Sequence, residues 1–308
     1  MEIRQLRYFL SAAEHLNFTK AAKECCIVQT AMTQQIANLE NEIGTKLFER
    51  NRRMVRLTPA GEAFLREAKT VLARAEQAVR QARSCAAGYE SMLRIGYHGE
   101  LVKRDLAALL KIYRAGHPQI KVLLYQQTQE ELIEALENEE TDFGFSLHSG
   151  FYDTLPWLCT RILGEEKLKL VVSKEHPLAG YKQVYLAQVK DEPFIFFDEK
   201  SMEEREIQMA EKGVFLKRYG EICDHTSGEL LIRSGYGIAI WAERLCDESR
   251  LSDLAFLDIL DHLKTVPLCI SWKSGEQGEP MRSFLELADR YFGINERTGA
   301  TTHVHLDK

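Results

Sequence analysis

Several protein classes are excluded by what this 308-residue chain lacks. Its longest apolar runs, such as Phe194-Ile195-Phe196-Phe197, fall far short of the roughly 18 residues a membrane-crossing helix needs. The opening MEIRQLRYFL carries Glu2 and two arginines where a signal peptide would place an apolar stretch, so the expected location is the cytoplasm, with no membrane partner. The seven cysteines (25, 26, 85, 159, 223, 246, 269) are odd in number and scattered, without a C-x-x-C pair. In a reducing compartment such cysteines serve mostly as small buried hydrophobes. The nine histidines form no cluster with ligand spacing beyond His303-Val304-His305, so no metal is expected. No G-x-S-x-G, no P-loop, no H-E-x-x-H and no G-x-G-x-x-G after a strand occurs, so neither an enzyme nor a cofactor is expected.

What is present is a soluble composition, 45% hydrophobic and 28% charged, with length for two or three units at roughly 150 residues each. Net charge is -6 but uneven: residues 1–90 hold 14 Lys/Arg against 10 Asp/Glu, and the remainder 26 against 36. A basic head on an acidic body points to an anionic partner for the head alone.

In the head, Ile3, Leu6, Phe9, Leu10 and Ala13 recur at helical spacing. Asn17 or Thr19 can cap a short helix reaching about Cys25, and a third helix begins near Gln29 and stops at Gly44. Its apolar positions Met32, Ile36, Leu39 and Ile43 share one face, leaving Gln29, Thr30, Thr33, Gln34 and Asn38 on the other. A short helix, a turn and a second helix make a helix-turn-helix, whose second helix enters the major groove. There Gln and Asn can pair with adenine edges, and Thr offers a hydroxyl and a methyl. The stretch LFERNRRMVRLT then predicts a β-hairpin wing, with Arg50, Arg52 and Arg53 suited to phosphates. Cys25 and Cys26 lie between the two helices and read as structural, Cys25 as an apolar contact and Cys26 as part of the turn.

These segments carry a resemblance. RQLRYFLSAAEHLNFTKAAKE, QQIANLENEIGTKLFER and VRLTPAGEAFL together resemble the winged helix-turn-helix domain of LysR-type transcriptional regulators, without gaps through about the first 65 residues. Two departures stand out. The usual Ser-Gln-Pro opening of the recognition helix is here Val28-Gln29-Thr30, and the common Ser-Arg within it is Thr33-Gln34.

Thr58-Pro59 predicts the start of a long helix reaching about Ala87. Leu65, Ala68, Leu72, Ala75 and Val79 step by three and four along it, as in a coiled-coil seam between two copies. Beyond Met92, strands alternate with helices: 93–97, 120–126, 142–148, 166–173, 193–198 and 266–272 read as strands, the first set in a mostly parallel sheet. The segments SKEHPLAG, LAQVKDEPFI and SGYGIAI resemble the effector-binding domain of the same regulators.

The expected fold is therefore α/β with a winged helix-turn-helix head (1–58), a linker helix (59–90) and a two-lobed body like type 2 periplasmic binding proteins. Lobe 1 comprises 91–162 and 267–308, and lobe 2 comprises 163–266. The resemblance implies double-stranded operator DNA, a small-molecule effector, a second copy in a dimer or tetramer, and RNA polymerase as partners. Ligands in such folds sit at the carboxyl ends of strands and beside helix N-termini. The candidate effector residues are Tyr97, His98, Gly99 and Glu100 after the first strand, Ser146 and His148 after another, and Thr226, Ser227 and Gly228 before a helix. Two rivals remain. One is a redox sensor of the same family, with Cys223 and Cys246 as the nearest body pair; the other is a solute-binding module without DNA function.

Overall fold

The computed structural model describes residues 1–50, 54–196, 199–220 and 225–294. The chain divides into two compact units: Met1–Met92 with Gln119–Lys121 and Ile133–Thr141, and Leu93–Pro118 with Val122–Leu132 and Asp142–Lys308.

The first unit opens with α1 (Ile3–His15), α2 (Phe18–Glu24) and α3 (Gln29–Ile43), then a hairpin of β1 (Phe48–Arg50) and β2 (Val55–Leu57), then α4 (Pro59–Ala86). Asn17 starts α2, its side chain accepting from Thr19 N (3.0 Å) and Lys20 N (3.1 Å). No side-chain bond caps α3 at Val28, as its apolar side chain dictates. Relative to serine that omission costs about 1 kcal/mol. Gly44, at φ 81°, closes α3 in the left-handed region that glycine adopts without strain.

Three of the four apolar positions predicted on α3 are buried: Met32, Ile36 and Leu39 are all 0% exposed, whereas Ile43 in the last turn is 37% exposed. Each such side chain contributes roughly 1.5–3 kcal/mol over remaining in water. They meet Leu6, Phe9, Phe18 and Leu47, with Phe9, Phe18, Phe48 and Phe64 joined through ring contacts of 5.0–5.5 Å. Thr58 caps α4 by accepting from Gly61 N at 2.9 Å, and Pro59 occupies its first turn. A side chain at Gly61 would collide with the Leu47 carbonyl, so glycine is required where the helix leaves the wing.

The expected seam is altered at its N-terminal end. Ala68 is 1% exposed within the head's own core, and Leu65 packs against that core. Further along, Lys69 and Arg74 form ion pairs with Glu134 and Glu139 of the same unit, and Ala73 is buried. Leu65 and Ala68 are thus taken by intrachain packing, whereas Val71 and Val79 remain exposed.

The second unit is built on two sheets. Its elements, of which residues 91–92, 120–121 and 133–137 belong to the first unit, are β3 (Ser91–His98), α5 (Lys103–Gly116), β4 (Ile120–Gln127), α6 (Gln129–Glu137), β5 (Phe143–Leu147), β6 (Leu158–Glu166), β7 (Leu168–Ser173), β8 (Gln183–Val184), β9 (Pro193–Phe194), α7 (Glu199–Ala210), β10 (Lys217–Arg218), α8 (His225–Arg233), β11 (Ala239–Ala242), β12 (Leu254–Ile259), β13 (Val266–Lys273) and α9 (Glu279–Phe292). One sheet has the order β4-β3-β5-β13-β6, the other β11-β7-β12-β8.

β3 and β5 of the first set run parallel, as expected, and β13 joins antiparallel to both β5 and β6, so the complete five-stranded sheet is mixed. The return of β13 to the first sheet matches the sequence reading. The strand expected over 193–198 is limited to β9, which pairs in parallel with β10, and residues 197 and 198 lie outside the described residues. Tyr113, Phe143 and Phe284 pack ring to ring at 5.0–5.1 Å beneath the first sheet. Leu170, Val172, Ile238 and Leu257 form the core of the second.

Candidate functional site

On α3, Gln29, Thr30, Gln34 and Asn38 are exposed and Thr33 is half-buried. These side chains are ordered by one another, since positions four apart adjoin on a helix. Gln34 Nε2 donates to Asn38 Oδ1 at 2.8 Å, and Gln29 Nε2 donates to Thr33 Oγ1 at 3.1 Å. The Thr33 hydroxyl donates in turn to the Gln29 carbonyl at 3.0 Å. The hydroxyl is therefore engaged within the helix, on both its donor and its acceptor side.

The wing brings a second correction. Arg50 donates to Glu40 at 3.2 Å and lies over the Phe18 ring at 4.5 Å, so its guanidinium is held against the head rather than free for phosphate. Glu40, which sequence reasoning missed, is the anchor. Its side chain is 1% exposed, and it accepts from Leu47 N (3.0 Å), Phe48 N (3.2 Å) and Lys46 Nζ (3.0 Å) as well. Burial alone would raise its pKa; the Lys46 bond, the two backbone N–H groups and the Arg50 charge outweigh that and hold the carboxyl below the usual glutamate range. A signal existed: Glu40 falls four residues after Ile36, on the buried face. Arg52 and Arg53 lie outside the described residues.

The second unit contains a cavity of about 110 Å³. His98, Gly99 and Glu100 reach it from the end of β3, and His148 and Ser149 from the end of β5. Leu168, Ile195, Ile240, Trp241 and Leu245 give it an apolar wall, and Gln129, Ser149 and Arg205 add polar groups. His98 Nδ1 lies 3.2 Å from the Gln127 carbonyl, Gln129 Nε2 donates to Ser149 Oγ at 3.3 Å, and His148 Nε2 pairs with Asp153 at 3.2 Å. A wider recess of about 310 Å³ shares His148, Ser149, Arg205 and Val266 with it.

His98, Gly99, Glu100 and His148 are thus brought together, and the other candidates are not. Ser146 is 0% exposed and bonds Tyr152 Oη at 2.8 Å, inside β5 rather than at its end. Tyr97, the residue before His98 on β3, is likewise outside the lining. Thr226, Ser227 and Gly228 belong to the first turn of α8 rather than to a preceding loop, and they also fall outside the lining. The wall residues escaped the sequence reading because each lies in an ordinary apolar stretch; only the fold makes them neighbours.

Cysteine chemistry is muted. Burial pushes the Cys246 thiol up to about 12 and that of Cys269 up to about 11. Thiolate at Cys246 is then about one part in ten thousand at pH 8. Cys223 lies outside the described residues. A thiol reagent at pH 8 is expected to modify Cys26, which is exposed, and to leave Cys159, Cys246 and Cys269 unmodified in the folded protein; mass mapping of the adducts checks this. Among the described residues, no group of three or more His, Cys, Asp or Glu is placed to hold a metal ion, and no helix is long and apolar enough to cross a membrane.

Residues 3–62 match the family described as "Bacterial regulatory helix-turn-helix protein, lysR family", and residues 86–293 match "LysR substrate binding domain". The regulator ClcR of Pseudomonas putida is 31% identical over 93% of this chain and 98% of its own. BenM of Acinetobacter baylyi is 29% identical over 93% and 94%. The crystal structure of full-length CbnR complexed with its target DNA has a TM-score of 0.68 and 27% identity, covering 94% of this chain and all (100%) of that one. With both domains matched in order along the chain, it belongs to the LysR family of bacterial DNA-binding transcriptional regulators, which are not enzymes.

Proposed function

We propose that this regulator reads an operator with the exposed side chains of α3 and is controlled by a small molecule held in the cavity at the ends of β3 and β5. The observation that carries the first half is the row of ordered amides on a helix whose opposite face buries Met32, Ile36 and Leu39. Base contacts then come from Gln29, Thr30, Gln34 and Asn38, and backbone grip from the wing, with Arg52 and Arg53 assigned to phosphates on sequence grounds alone. For the second half, the cavity suits a ligand whose apolar body lies on Ile195, Ile240 and Trp241 and whose polar end meets Gln129, Ser149 and Arg205. The division into head, linker and two lobes, a cytoplasmic location and a contact with RNA polymerase belong to the same reading.

The test is selection by the full-length protein from a pool of random duplexes. Enrichment of one short sequence, repeated with two-fold symmetry, is the expected result, and recovery of an unenriched pool would overturn operator reading. The two-fold symmetry follows from pairing of two copies through the part of α4 that remains open, where Val71 and Val79 are exposed. Val79→Glu is expected to halve the particle mass in light scattering and to lower operator affinity at least tenfold, since one charge would enter each side of the apolar contact. An unchanged mass would remove α4 from the interface. As Val79 is 51% exposed, its replacement leaves the chain's own packing intact.

The redox reading is disfavoured by the half-buried Cys246, whose thiol pKa is raised by desolvation. The solute-binding reading leaves the head without a purpose.

A further inference from the structure

Building on α3 as the reading helix, we infer that the base pairs facing Thr33 to Asn38 in each half-site are A·T, with adenine met by amides and thymine by methyl groups. Three observations converge. The first is an absence: residues 29–43, QTAMTQQIANLENEI, contain no Lys, Arg or His. Guanine is read most often by the paired donors of Arg or Lys, and α3 has neither to offer.

The second is the state of the amides. Gln34 spends one N–H on Asn38 Oδ1 and retains its second N–H and its carbonyl oxygen. Asn38 spends one lone pair and retains its other lone pair and both N–H groups. Each side chain therefore still presents one donor and one acceptor, the complement of adenine N7 and N6–H, without breaking the bond that orients it. Thr30, Gln34 and Asn38 are exposed at successive four-residue steps and so form one ridge along the groove.

The third is Thr33, whose hydroxyl both donates to the Gln29 carbonyl and accepts from Gln29 Nε2. Thr33 and Ala37, four residues apart and both half-buried, are the methyl-bearing positions next to the amide ridge. Thymine is the base with a methyl in the major groove.

The experiment is the same duplex selection, run on the full-length wild type, Gln34→Arg and Asn38→Ala. For the wild type, A·T is expected at the positions whose preference depends on Gln34 and Asn38. Replacing one of those pairs with G·C should weaken wild-type binding about 5- to 150-fold. Gln34→Arg should select G·C at one of these positions and regain affinity for the substituted duplex. Asn38→Ala should relax the preference at a neighbouring position. All of these positions are exposed, so the variants should fold as the wild type does, with matching circular dichroism as the check.

Guanine at the Gln34-dependent positions in the wild type would overturn this inference while leaving operator reading in place. So would selected sequences that are identical in all three proteins. Failure of the wild type to enrich any sequence would instead overturn the functional reading on which the inference rests.

Discussion

Glu40→Ala is expected to destabilise the head by about 3–5 kcal/mol, the usual cost of removing one partner from a buried ion pair. The substitution leaves the Leu47 and Phe48 N–H groups without their acceptor and strands the Arg50 guanidinium beside Phe18. Hydrogen exchange reads this directly: both amides should be protected in the wild type and exchange rapidly in the variant, with operator binding lost in parallel. Protected amides in Glu40→Ala would contradict the role given to this carboxylate. Glu40→Gln keeps an oxygen for the amides but loses the charge, so a smaller loss is expected.

The same residue confers an acid limit. Its folded-state pKa is depressed, so its stabilising contribution is complete at neutral pH and is lost as pH falls below about 4. The Gln variant, less stable at pH 7, should converge with the wild type in that range.

Arg244→Ala is expected to lower the thermal midpoint of the ligand-binding unit by roughly 4–8 °C, from a loss of about 2 kcal/mol. Arg244 follows β11 of the second sheet and donates to Glu166, at the end of β6, at 2.8 Å. It also bonds Asp105 in the first turn of α5, which accepts from Tyr291 Oη at 2.9 Å. One guanidinium thus ties elements of both sheets, and its removal leaves two carboxylates half-buried and partnerless on that side. The neighbouring Leu245 lines the cavity, so ligand affinity should fall with stability. Arg244→Lys, which keeps the charge but not the forked geometry, should recover about half of the midpoint. A midpoint unchanged within a degree would show that the lobes are held by other contacts.

Much of the head was legible because its signals are local. Apolar steps of three and four, a capping Asn17, a stopping Gly44 and Thr58-Pro59 fix helices within a few residues of themselves. The long-range facts were not legible in the same way. Glu40 looks like any surface carboxylate until Leu47 and Phe48 fold back onto it, and Arg50 looks like a phosphate ligand until Phe18 lies beneath it. Along α4, a heptad pattern cannot say whether the partner is a second copy or the same chain, and the structure assigns Leu65 and Ala68 to the latter. In the second unit, the ends of β3 and β5 marked the cavity, since strand ends can be read from periodicity. Which side chains reach the cavity is not set by strand ends alone: Leu147 and His148 reach it, and Tyr97 and Ser146 do not. Ile195, Ile240 and Trp241 are remote from these positions in sequence, so no local pattern could have gathered them.

The hydrogen bonds between Gln34 and Asn38 and between Gln29 and Thr33 also bear on rates. A helix whose polar side chains hold one another in place offers its remaining donors and acceptors in a fixed geometry, which passing sequence seldom matches. Movement along unrelated DNA then requires few bonds to be broken at each step, and encounter is governed by the charge of the head rather than by the amides. At the correct site the amides add contacts without first giving up those they hold. The gain should therefore appear as a longer-lived complex, with operators and non-operators differing in dissociation rate far more than in association rate.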